Sequence, residues 1–384
     1  MFDFDRVIDR RATASVKWDK YGGADVLPLW VAELDFASPP AVIDALKVRV
    51  DHGIFGYTHP PAELVEEVQR MLEVKYRWPV ESEWIVWLPG LVTGLNVTCR
   101  AVGGDGDAVI TTVPVYPPFL TAPGLSGRHK ITVPMVCIDD HWQFDRHAFE
   151  QALTPDTRLF LFCHPYNPLG RAFGRSELEE IAEICLRHDI VICSDEIHCD
   201  LILDPTRVHI PTASLHSEIA DRTITLMAPS KTFNIPGLGC SFAVISNANL
   251  RKRFKQAMEG IVPHVNLLGF TAALAAYRHG EPWRLALLEY LRENKAQVMA
   301  AVGRMPGLKT TDVEATFLAW IDARDTGIQQ PAKFFEKAGV GLSDGAEFGG
   351  AGFVRLNFGC PRSILEEALN RMETALRRHA KTGV

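Results

Sequence analysis

Residues 190–198 of the chain are IVICSDEIH, an apolar run that ends in charged and polar side chains. A run of apolar, mostly β-branched residues without alternation is typical of a strand buried on both faces of a parallel sheet. Open α/β sheets bind their ligands beyond the carboxyl ends of such strands. The stretch therefore predicts a strand and, directly after it, a ligand-binding or catalytic site.

Similar apolar runs occur on both sides of this stretch. They occupy residues 108–113, 131–136, 159–163, 223–227 and 242–245. Residues 176–188 lie between two of the runs and have helical spacing, with Ser176 and Glu179 as a predicted capping box at the start. The alternation of strand, helix and strand predicts an α/β fold with a mostly parallel sheet.

Helical spacing dominates the rest of the chain. Predicted helices cover 61–77, 91–102, 249–259, 265–279, 283–304, 331–338 and 362–378, and predicted strands cover 317–321 and 353–357. We expect the long helix at 283–304 to carry the chain from a large domain into a smaller α+β domain. The predicted parts are an N-terminal arm with part of the small domain at 1–45, a large domain at 46–285 and a C-terminal small domain at 286–384.

The composition is typical of a soluble globular protein of 384 residues, which is long enough for two domains. Forty basic and 47 acidic residues give a net charge of −7 without a basic stripe, so we expect no nucleic-acid partner. No apolar run reaches the length of about 18 residues that a membrane helix needs, and the acidic N-terminal residues do not resemble a signal peptide. Eight scattered cysteines without a C-x-x-C pair predict reduced thiols, no metal site and a cytoplasmic protein.

Polar motifs follow three of the predicted strands. They are NPLG at 167–170, SDEIH at 194–198 and PSKTFN at 229–234. A lysine directly after a strand can form a Schiff base with an aldehyde cofactor, and Lys231 has this position. A pyridine cofactor also needs a carboxylate at its ring nitrogen, for which Asp195 is the candidate. Either residue alone is more often a solvated charge or a helix cap, but their ordered combination favours a cofactor site.

These motifs resemble those of the class I and II aminotransferases, which use pyridoxal 5′-phosphate on fold type I. The resemblance runs from Trp30 to Arg355, and three segments are similar to the cystathionine β-lyase branch of the family. The segments are WVAELDF at 30–36, SDEIHCDL at 194–201 and SKTFNIPGL at 230–238. The resemblance implies a large cofactor-binding domain with a mostly parallel mixed sheet flanked by helices, and a smaller α+β domain.

The resemblance also implies roles around the cofactor ring. Lys231 would bind the cofactor covalently, and Asp195 would pair with the ring nitrogen. Asn167 and His198 would lie near the 3′-oxygen, and Tyr116 would stack on the ring. Lys231, Asp195 and Tyr116 would form the catalytic group, and Asn167 would also contact the substrate.

Other residues would bind the phosphate and the substrate. Backbone N–H groups of Val92 and Thr93 at a helix N-terminus suit an anion, and Ser230 would add a hydroxyl. Tyr57 would reach the phosphate and substrate of a neighbouring subunit, which implies a homodimer with shared active sites. Arg355 would bind the α-carboxylate of an amino-acid substrate through its planar fork.

Structural roles remain open for several of these residues. Tyr116 and Tyr57 are alternatively core or interface aromatics. Arg355 is alternatively a partner in a structural ion pair, and His198 a polar residue whose hydrogen bonds are satisfied inside the protein.

The chain also departs from the family pattern at three positions. Ala228 stands where many relatives have Ser or Thr, and Gly239 stands where many aminotransferases have a phosphate-binding Arg. Glu33 stands where the lyase branch often has Asp. The departures at Ala228 and Gly239 predict a phosphate site that depends more on backbone amides, Ser230 and Tyr57, whereas Glu33 concerns the substrate side of the N-terminal loop.

The function that the resemblance implies is carbon–sulfur β-elimination. Cystathionine or a related cysteine S-conjugate would yield a thiol, pyruvate and ammonia. One alternative is an aminotransferase that needs a 2-oxo acid acceptor. A second alternative, from another class, is a pyridoxal-phosphate-binding regulatory protein. We expect no membrane partner for any of these.

Overall fold

The computed structural model describes residues 2–382 of the chain. Met1, Gly383 and Val384, which the predicted domains include at their ends, lie outside the described residues. The strands are β1 Leu27–Pro28, β2 Ile85–Leu88, β3 Ala108–Val113, β4 His129–Pro134, β5 Val136–Ile138, β6 His141–Gln143, β7 Thr157–Cys163, β8 Val191–Asp195, β9 Thr223–Met227, β10 Ser241–Val244, β11 Lys309–Thr310, β12 Leu318–Asp322, β13 Val340–Gly341, β14 Ser343–Asp344 and β15 Phe353–Asn357. The helices are α1 Val16–Asp19, α2 Pro40–Asp51, α3 Ala62–Tyr76, α4 Leu91–Ala101, α5 Pro117–Thr121, α6 Arg146–Ala152, α7 Arg175–Arg187, α8 Ser217–Ala220, α9 Ala248–Met258, α10 Leu267–His279, α11 Glu281–Val302, α12 Pro331–Lys337 and α13 Arg362–Thr382.

A seven-stranded sheet forms the centre of the molecule. Its strand order is β2-β10-β9-β8-β7-β3-β4, and the five strands from β9 to β4 are parallel. The prediction of a mostly parallel sheet within an α/β fold is confirmed. Strand β10 runs antiparallel to β9 because the connection between them holds only a short 3-10 turn at Pro236–Leu238, whereas parallel neighbours need a long crossover.

The register of this sheet aligns the ends of its central strands. Asp195, the last residue of β8, pairs with Cys163 at the end of β7 and with Leu226 in β9. The polar motifs that follow these strands therefore meet at one edge of the sheet, as the sequence predicts.

Helix α7 begins one residue earlier than predicted, and its cap differs. The backbone N–H of Gly174 donates to Oε2 of Glu177 at 2.8 Å, while Arg171 also binds that carboxylate. The predicted capping box of Ser176 with Glu179 is wrong, because Glu179 instead pairs with the exposed Arg175 at 3.4 Å.

A smaller antiparallel sheet has the order β11-β12-β15-β14. It contains both strands predicted near the C-terminus, and Arg355 in β15 pairs with Trp320 in β12 and with Ser343 in β14. The proposed division between residues 285 and 286 lies within α11, and the domain bounds stay a prediction.

The N-terminal segment is more ordered than the predicted arm. It contains α1 and the first half of α2, which begins at Pro40 as a proline at the first helical position favours. Strand β1 pairs in parallel with β13, which brings the segment against the C-terminal part of the chain. Within residues 2–382, no helix combines the length and apolarity needed to cross a membrane.

Candidate active site

A cavity of about 360 Å³ lies at the carboxyl edge of the central sheet. Eight of the ten predicted site residues line it, namely Val92, Tyr116, Asn167, Asp195, His198, Ser230, Lys231 and Arg355. Thr93 follows Val92 in the first turn of α4 but does not line the cavity. Tyr57 is fully exposed and lies on a different surface, beside Phe55 and His264. Within one chain the structure therefore brings together all the predicted residues except Tyr57 and Thr93.

Lys231 lies in the loop after β9. Its Nζ donates a hydrogen bond to the carbonyl oxygen of Ala32 at 2.5 Å. Removal from water and the positive charge of Arg355 lower the pKa of Lys231 to about 8, while Glu33 and Asp195 act in the opposite direction. A lysine with this pKa has a substantial neutral fraction near physiological pH, so it can serve as a nucleophile or a base.

Asp195 is a buried carboxylate that faces no cation at ion-pair distance among the described residues. Its Oδ1 accepts a hydrogen bond from the backbone N–H of Ile197 at 3.2 Å. Burial raises the pKa of Asp195 to about 7, although the Ile197 N–H and the charge of Lys231 oppose the rise. A protonated nitrogen on a bound heterocycle would supply the missing partner.

His198 has the electrostatic character of a neutral ring. Burial, with Lys231 and Arg355 nearby, lowers its pKa to about 3. Its Nδ1 is buried without a hydrogen-bond partner in the described part of the chain. Buried polar atoms are rarely left unpaired, and His198 is among the residues that line the cavity.

Arg355 is buried and binds neutral acceptors. Its Nη1 donates to Oδ1 of Asn167 at 3.0 Å. Its Nη2 donates to the carbonyl oxygen of Trp30 at 2.7 Å and to Oγ of Ser343 at 3.2 Å. Burial lowers the pKa of Arg355 to about 10, so the group stays cationic at neutral pH.

No carboxylate forms an ion pair with Arg355 among residues 2–382, and its Nε has no partner there. The alternative of a structural ion pair is therefore not observed. A buried guanidinium without a carboxylate suits an anionic ligand that would bring one.

The loop at residues 30–33 contacts the site through its backbone. Arg355 donates a hydrogen bond to the carbonyl oxygen of residue 30, and Lys231 donates one to the carbonyl oxygen of residue 32. Asn357 Nδ2 donates to the carbonyl oxygens of residue 31 at 2.5 Å and of residue 33 at 2.7 Å. Lys17 Nζ also donates to the carbonyl oxygen of residue 33, at 3.2 Å. Four successive carbonyl oxygens thus accept hydrogen bonds from side chains.

A buried ion cluster holds this loop from the other side. Lys17 pairs with Asp35 at 2.7 Å, and both side chains are almost completely buried. The indole N–H of Trp18 donates to the same carboxylate at 2.9 Å. Arg10 bridges Asp35 and Glu33 at 2.8 and 2.7 Å. Glu33, one of the departures from the family pattern, therefore has a partner in the N-terminal segment.

The first turn of α4 forms one wall of the cavity. Gly90, Leu91 and Val92 line the cavity, and no side chain caps the helix at Gly90. The first N–H groups of a helix lack internal acceptors and carry partial positive charge. The wall can therefore hold a phosphate group.

Gly239 also lines the cavity and explains one departure from the family pattern. Its φ of +58° lies in the left-handed region, and a Cβ at this position would be 3.1 Å from the carbonyl oxygen of Pro89. An arginine here would be strained. Of the described side chains that line the cavity, Lys231 and Arg355 are the basic ones.

Some residues of the site were not predicted from the sequence as site residues. Asn357 lies two positions after Arg355 in β15, and period-two alternation places both on one face, so this signal was present. Asn234 ends the predicted motif at 229–234 and binds the carbonyl oxygens of Leu34 and Phe36 at 2.9 and 2.8 Å. Glu347 lines the cavity without belonging to any motif.

Comparisons with known proteins show which family this chain resembles in sequence and fold. The sequence model of the family "aminotransferase class I and II" matches residues 24–372. The chain is 38% identical to the cystathionine beta-lyase PatB of Bacillus subtilis (strain 168), over 97% of this chain and all of that protein. It is similar to the crystal structure of OvoB, with 47% identity, a TM-score of 0.96 and coverage of 98% and 99%. It is also similar to cystalysin from Treponema denticola, which contains pyridoxal 5′-phosphate, with 33% identity, a TM-score of 0.94 and coverage of 98% and 99%.

Proposed function

The chain belongs to the class I and II aminotransferase family, and from this membership we propose that it is a pyridoxal 5′-phosphate-dependent carbon–sulfur β-lyase. Its substrates are L-cystathionine or related cysteine S-conjugates. The observation that carries the proposal is the similarity to a cystathionine β-lyase over the whole length of that enzyme. The fold is the type I fold of pyridoxal-phosphate enzymes.

The cavity fits the cofactor in its charges and its free polar atoms. Asp195 would face the ring nitrogen, because it is a buried carboxylate without a cation. His198 and Asn167 would lie near the ring oxygen, and Tyr116 would stack on the ring. Lys231 would hold the cofactor covalently.

The phosphate would lie at the start of α4. There the N–H groups of Val92 and Thr93, with the hydroxyl of Ser230, would receive it. When bound, the cofactor supplies an electron sink beside the substrate Cα. Side chains of the protein bind the substrate and transfer the protons.

Arg355 binds the α-carboxylate of the substrate, and its contacts with Asn167 and Trp30 fix the orientation of the guanidinium. Lys231 Nζ, set free when the substrate amine replaces it on the cofactor, would remove the Cα proton, since its lowered pKa makes the neutral amine available. The Ala32 carbonyl oxygen can then accept a hydrogen bond from the resulting ammonium.

The elimination breaks two bonds of the substrate. The Cα–H bond loses its proton to Lys231, and the Cβ–S bond breaks with its electron pair on sulfur. The thiolate takes a proton, which the ammonium of Lys231, a residue that lines the cavity, can supply. Hydrolysis of the remaining three-carbon unit by water gives pyruvate and ammonia.

The test is an assay without any added 2-oxo acid. The purified holoprotein is mixed with L-cystathionine, and pyruvate and free thiol are measured together. Equal amounts of both support the lyase. Turnover only with 2-oxoglutarate or pyruvate would instead show an aminotransferase, and a retained cofactor without either activity would favour a binding role. Lys231→Ala should abolish turnover, while the exposed Lys255→Ala should leave it unchanged.

We further propose a homodimer in which Tyr57 completes the active site of the partner. Ile54, Phe55 and Tyr57 are exposed together, and a second cavity of about 840 Å³ lies between residues 55–59 and 263–268. A contiguous exposed apolar surface of this kind is typical of an interface.

Mixing two impaired variants tests the shared site. The Lys231→Ala homodimer should be inactive and the Tyr57→Ala homodimer weakly active, and their hybrids should regain activity because one of the two sites then has neither substitution. A fully active monomer, or hybrids without recovered activity, would contradict the proposal.

We propose a cytoplasmic location, which the state of the cysteines supports. All eight are free, and reduced thiols are typical of that compartment. Protein isolated under thiol-blocking conditions should contain eight blocked thiols, and a disulfide would contradict the placement.

A further inference from the structure

Glu347 is a charged residue of the cavity to which the proposed mechanism gives no role. Four formally charged side chains line the cavity: Asp195, Lys231, Glu347 and Arg355. Two of them serve the cofactor and one serves the substrate α-carboxylate. Glu347 is the exposed member of the four. Its carboxylate forms no ion pair and accepts no hydrogen bond within the described residues. It therefore lies at the opening of the cavity with its charge unpaired.

The backbone around Glu347 is held in place. The residue belongs to a 3-10 turn, Gly345–Phe348, which the Asp344 carboxylate caps. The carbonyl oxygen of Phe348 accepts a hydrogen bond from the N–H of Val115 at 2.9 Å. The Phe348 ring lies under the guanidinium of Arg355 at 4.6 Å. The turn thus has a fixed position between the substrate-binding arginine and the segment that leads to Tyr116.

Glu347 and Arg355 are close enough to influence each other without forming an ion pair. The Glu347 carboxylate is among the groups that oppose the lowering of the Arg355 pKa by burial. No distance between the two charged groups falls within the 4.0 Å of an ion pair. One ligand can therefore contact both groups at once, with an anionic end on Arg355 and a cationic end on Glu347.

Resting on the lyase function proposed above, we propose that Glu347 makes the enzyme selective for cysteine S-conjugates with a cationic amine in the thiol half. With the α-carboxylate on the buried Arg355, the thiol half of the substrate extends toward the open side, where Glu347 lies. An ammonium there gains an attractive charge interaction, while a carboxylate in its place is repelled. The thiol half of cystathionine carries such an amine beside a carboxylate, and S-alkyl cysteines carry neither.

The test compares three substrates with thiol halves of similar length. S-(2-aminoethyl)-L-cysteine is cationic, S-propyl-L-cysteine is neutral and S-(2-carboxyethyl)-L-cysteine is anionic. The ratio of kcat/KM for the cationic to the neutral substrate is measured for the wild type and for Glu347→Gln. Dividing the two ratios removes the intrinsic difference between the leaving thiols. The exposed Glu366→Gln in α13 serves as the matched control.

We expect Glu347→Gln to lower the cationic-to-neutral ratio about fivefold, as for a partly exposed charge pair. The same variant should raise kcat/KM for the anionic substrate. The wild-type preference should decrease with added salt, since exposed charges are screened. Glu366→Gln should leave every ratio within about twofold of the wild type. A ratio that Glu347→Gln leaves unchanged would overturn the proposal.

A binding measurement separates this proposal from the lyase function. L-Lysine and L-norleucine have similar chains but differ in the distal charge, and neither can lose a thiol. Their dissociation constants from the holoprotein, measured through the cofactor absorbance, should favour lysine in the wild type and not in Glu347→Gln. If none of the S-conjugates is cleaved, the lyase proposal fails, yet the preference for lysine still supports or refutes the role of Glu347.

Discussion

Replacing Asp195 by Asn should stabilise the cofactor-free protein while it weakens cofactor binding. The carboxylate is buried without a cation, and its pKa rises from the ordinary value of 3.8 to about 7. Asparagine has nearly the same shape and keeps an oxygen for the N–H of Ile197, which now donates to Oδ1 of Asp195. The substitution therefore removes a costly buried charge and little else.

The size of the effect follows from the difference between the two pKa values. Between pH 3.8 and about pH 7 the folded protein holds one proton more at this site than the unfolded chain, so stability falls as the pH rises. The change of about three pH units corresponds to ~4 kcal/mol. Asp195→Asn should thus add about 4 kcal/mol to the free energy of unfolding at pH 8, and only about 1–2 kcal/mol at pH 5.

Urea unfolding of the cofactor-free protein at pH 5 and pH 8 measures this difference. The exposed Asp156→Asn controls for the loss of one negative charge. Added pyridoxal 5′-phosphate should stabilise the wild type more than Asp195→Asn, because the ring nitrogen loses its counter-charge. A stability gain of the same size at both pH values, or no gain at all, would refute the assignment of Asp195 as a carboxylate that lacks its partner.

Three further substitutions or titrations test other parts of the site. Lys17→Met should lower the free energy of unfolding by about 3 kcal/mol, at the low end for a broken buried pair, because Asp35 loses its buried cation and keeps only Arg10 and the Trp18 N–H as partners, and adding Asp35→Asn should recover much of the loss in urea unfolding. In the cofactor-free protein an amine-specific reagent should modify Lys231 with a midpoint near pH 8, since the neutral amine forms above this pKa; a midpoint near 10.5 would contradict the effect of the cavity. Arg355→Lys keeps the charge but loses the planar fork, so KM for the amino-acid substrate should rise about tenfold or more while the cofactor absorbance stays unchanged; an unchanged KM would exclude the residue from carboxylate binding.

The strands at the centre of the sheet were predictable from their composition. The bounds of β3 and β9 agree with the predicted 108–113 and 223–227, because buried strands carry uninterrupted apolar or β-branched residues. The predicted strand at 131–136 is wrong in its bounds, since Pro134 ends β4 and a separate hairpin begins at Val136. Strand β2 was missed, because four residues next to a 3-10 turn give little periodicity.

The candidate site was predictable where a motif carried it. Lys231 and Asp195 follow recognisable strands, so their meeting in one cavity follows from the topology. The buried pair of Lys17 and Asp35 could not be predicted, because nothing in a helical turn of four residues marks its lysine as buried. The acceptors at residues 30–33 could not be predicted either, since every residue has a carbonyl oxygen.

These backbone acceptors have a consequence for redesigning the enzyme. The oxygens that accept hydrogen bonds from Arg355, Asn357 and Lys231 are backbone carbonyl oxygens of residues 30–33. Most side-chain substitutions at these positions therefore leave the hydrogen-bond acceptors of the active site in place. Three of those side chains, Trp30, Val31 and Ala32, belong to residues that border the cavity. A combinatorial library at positions 31 and 32 should therefore reshape the wall of the cavity and still yield a high proportion of active enzymes.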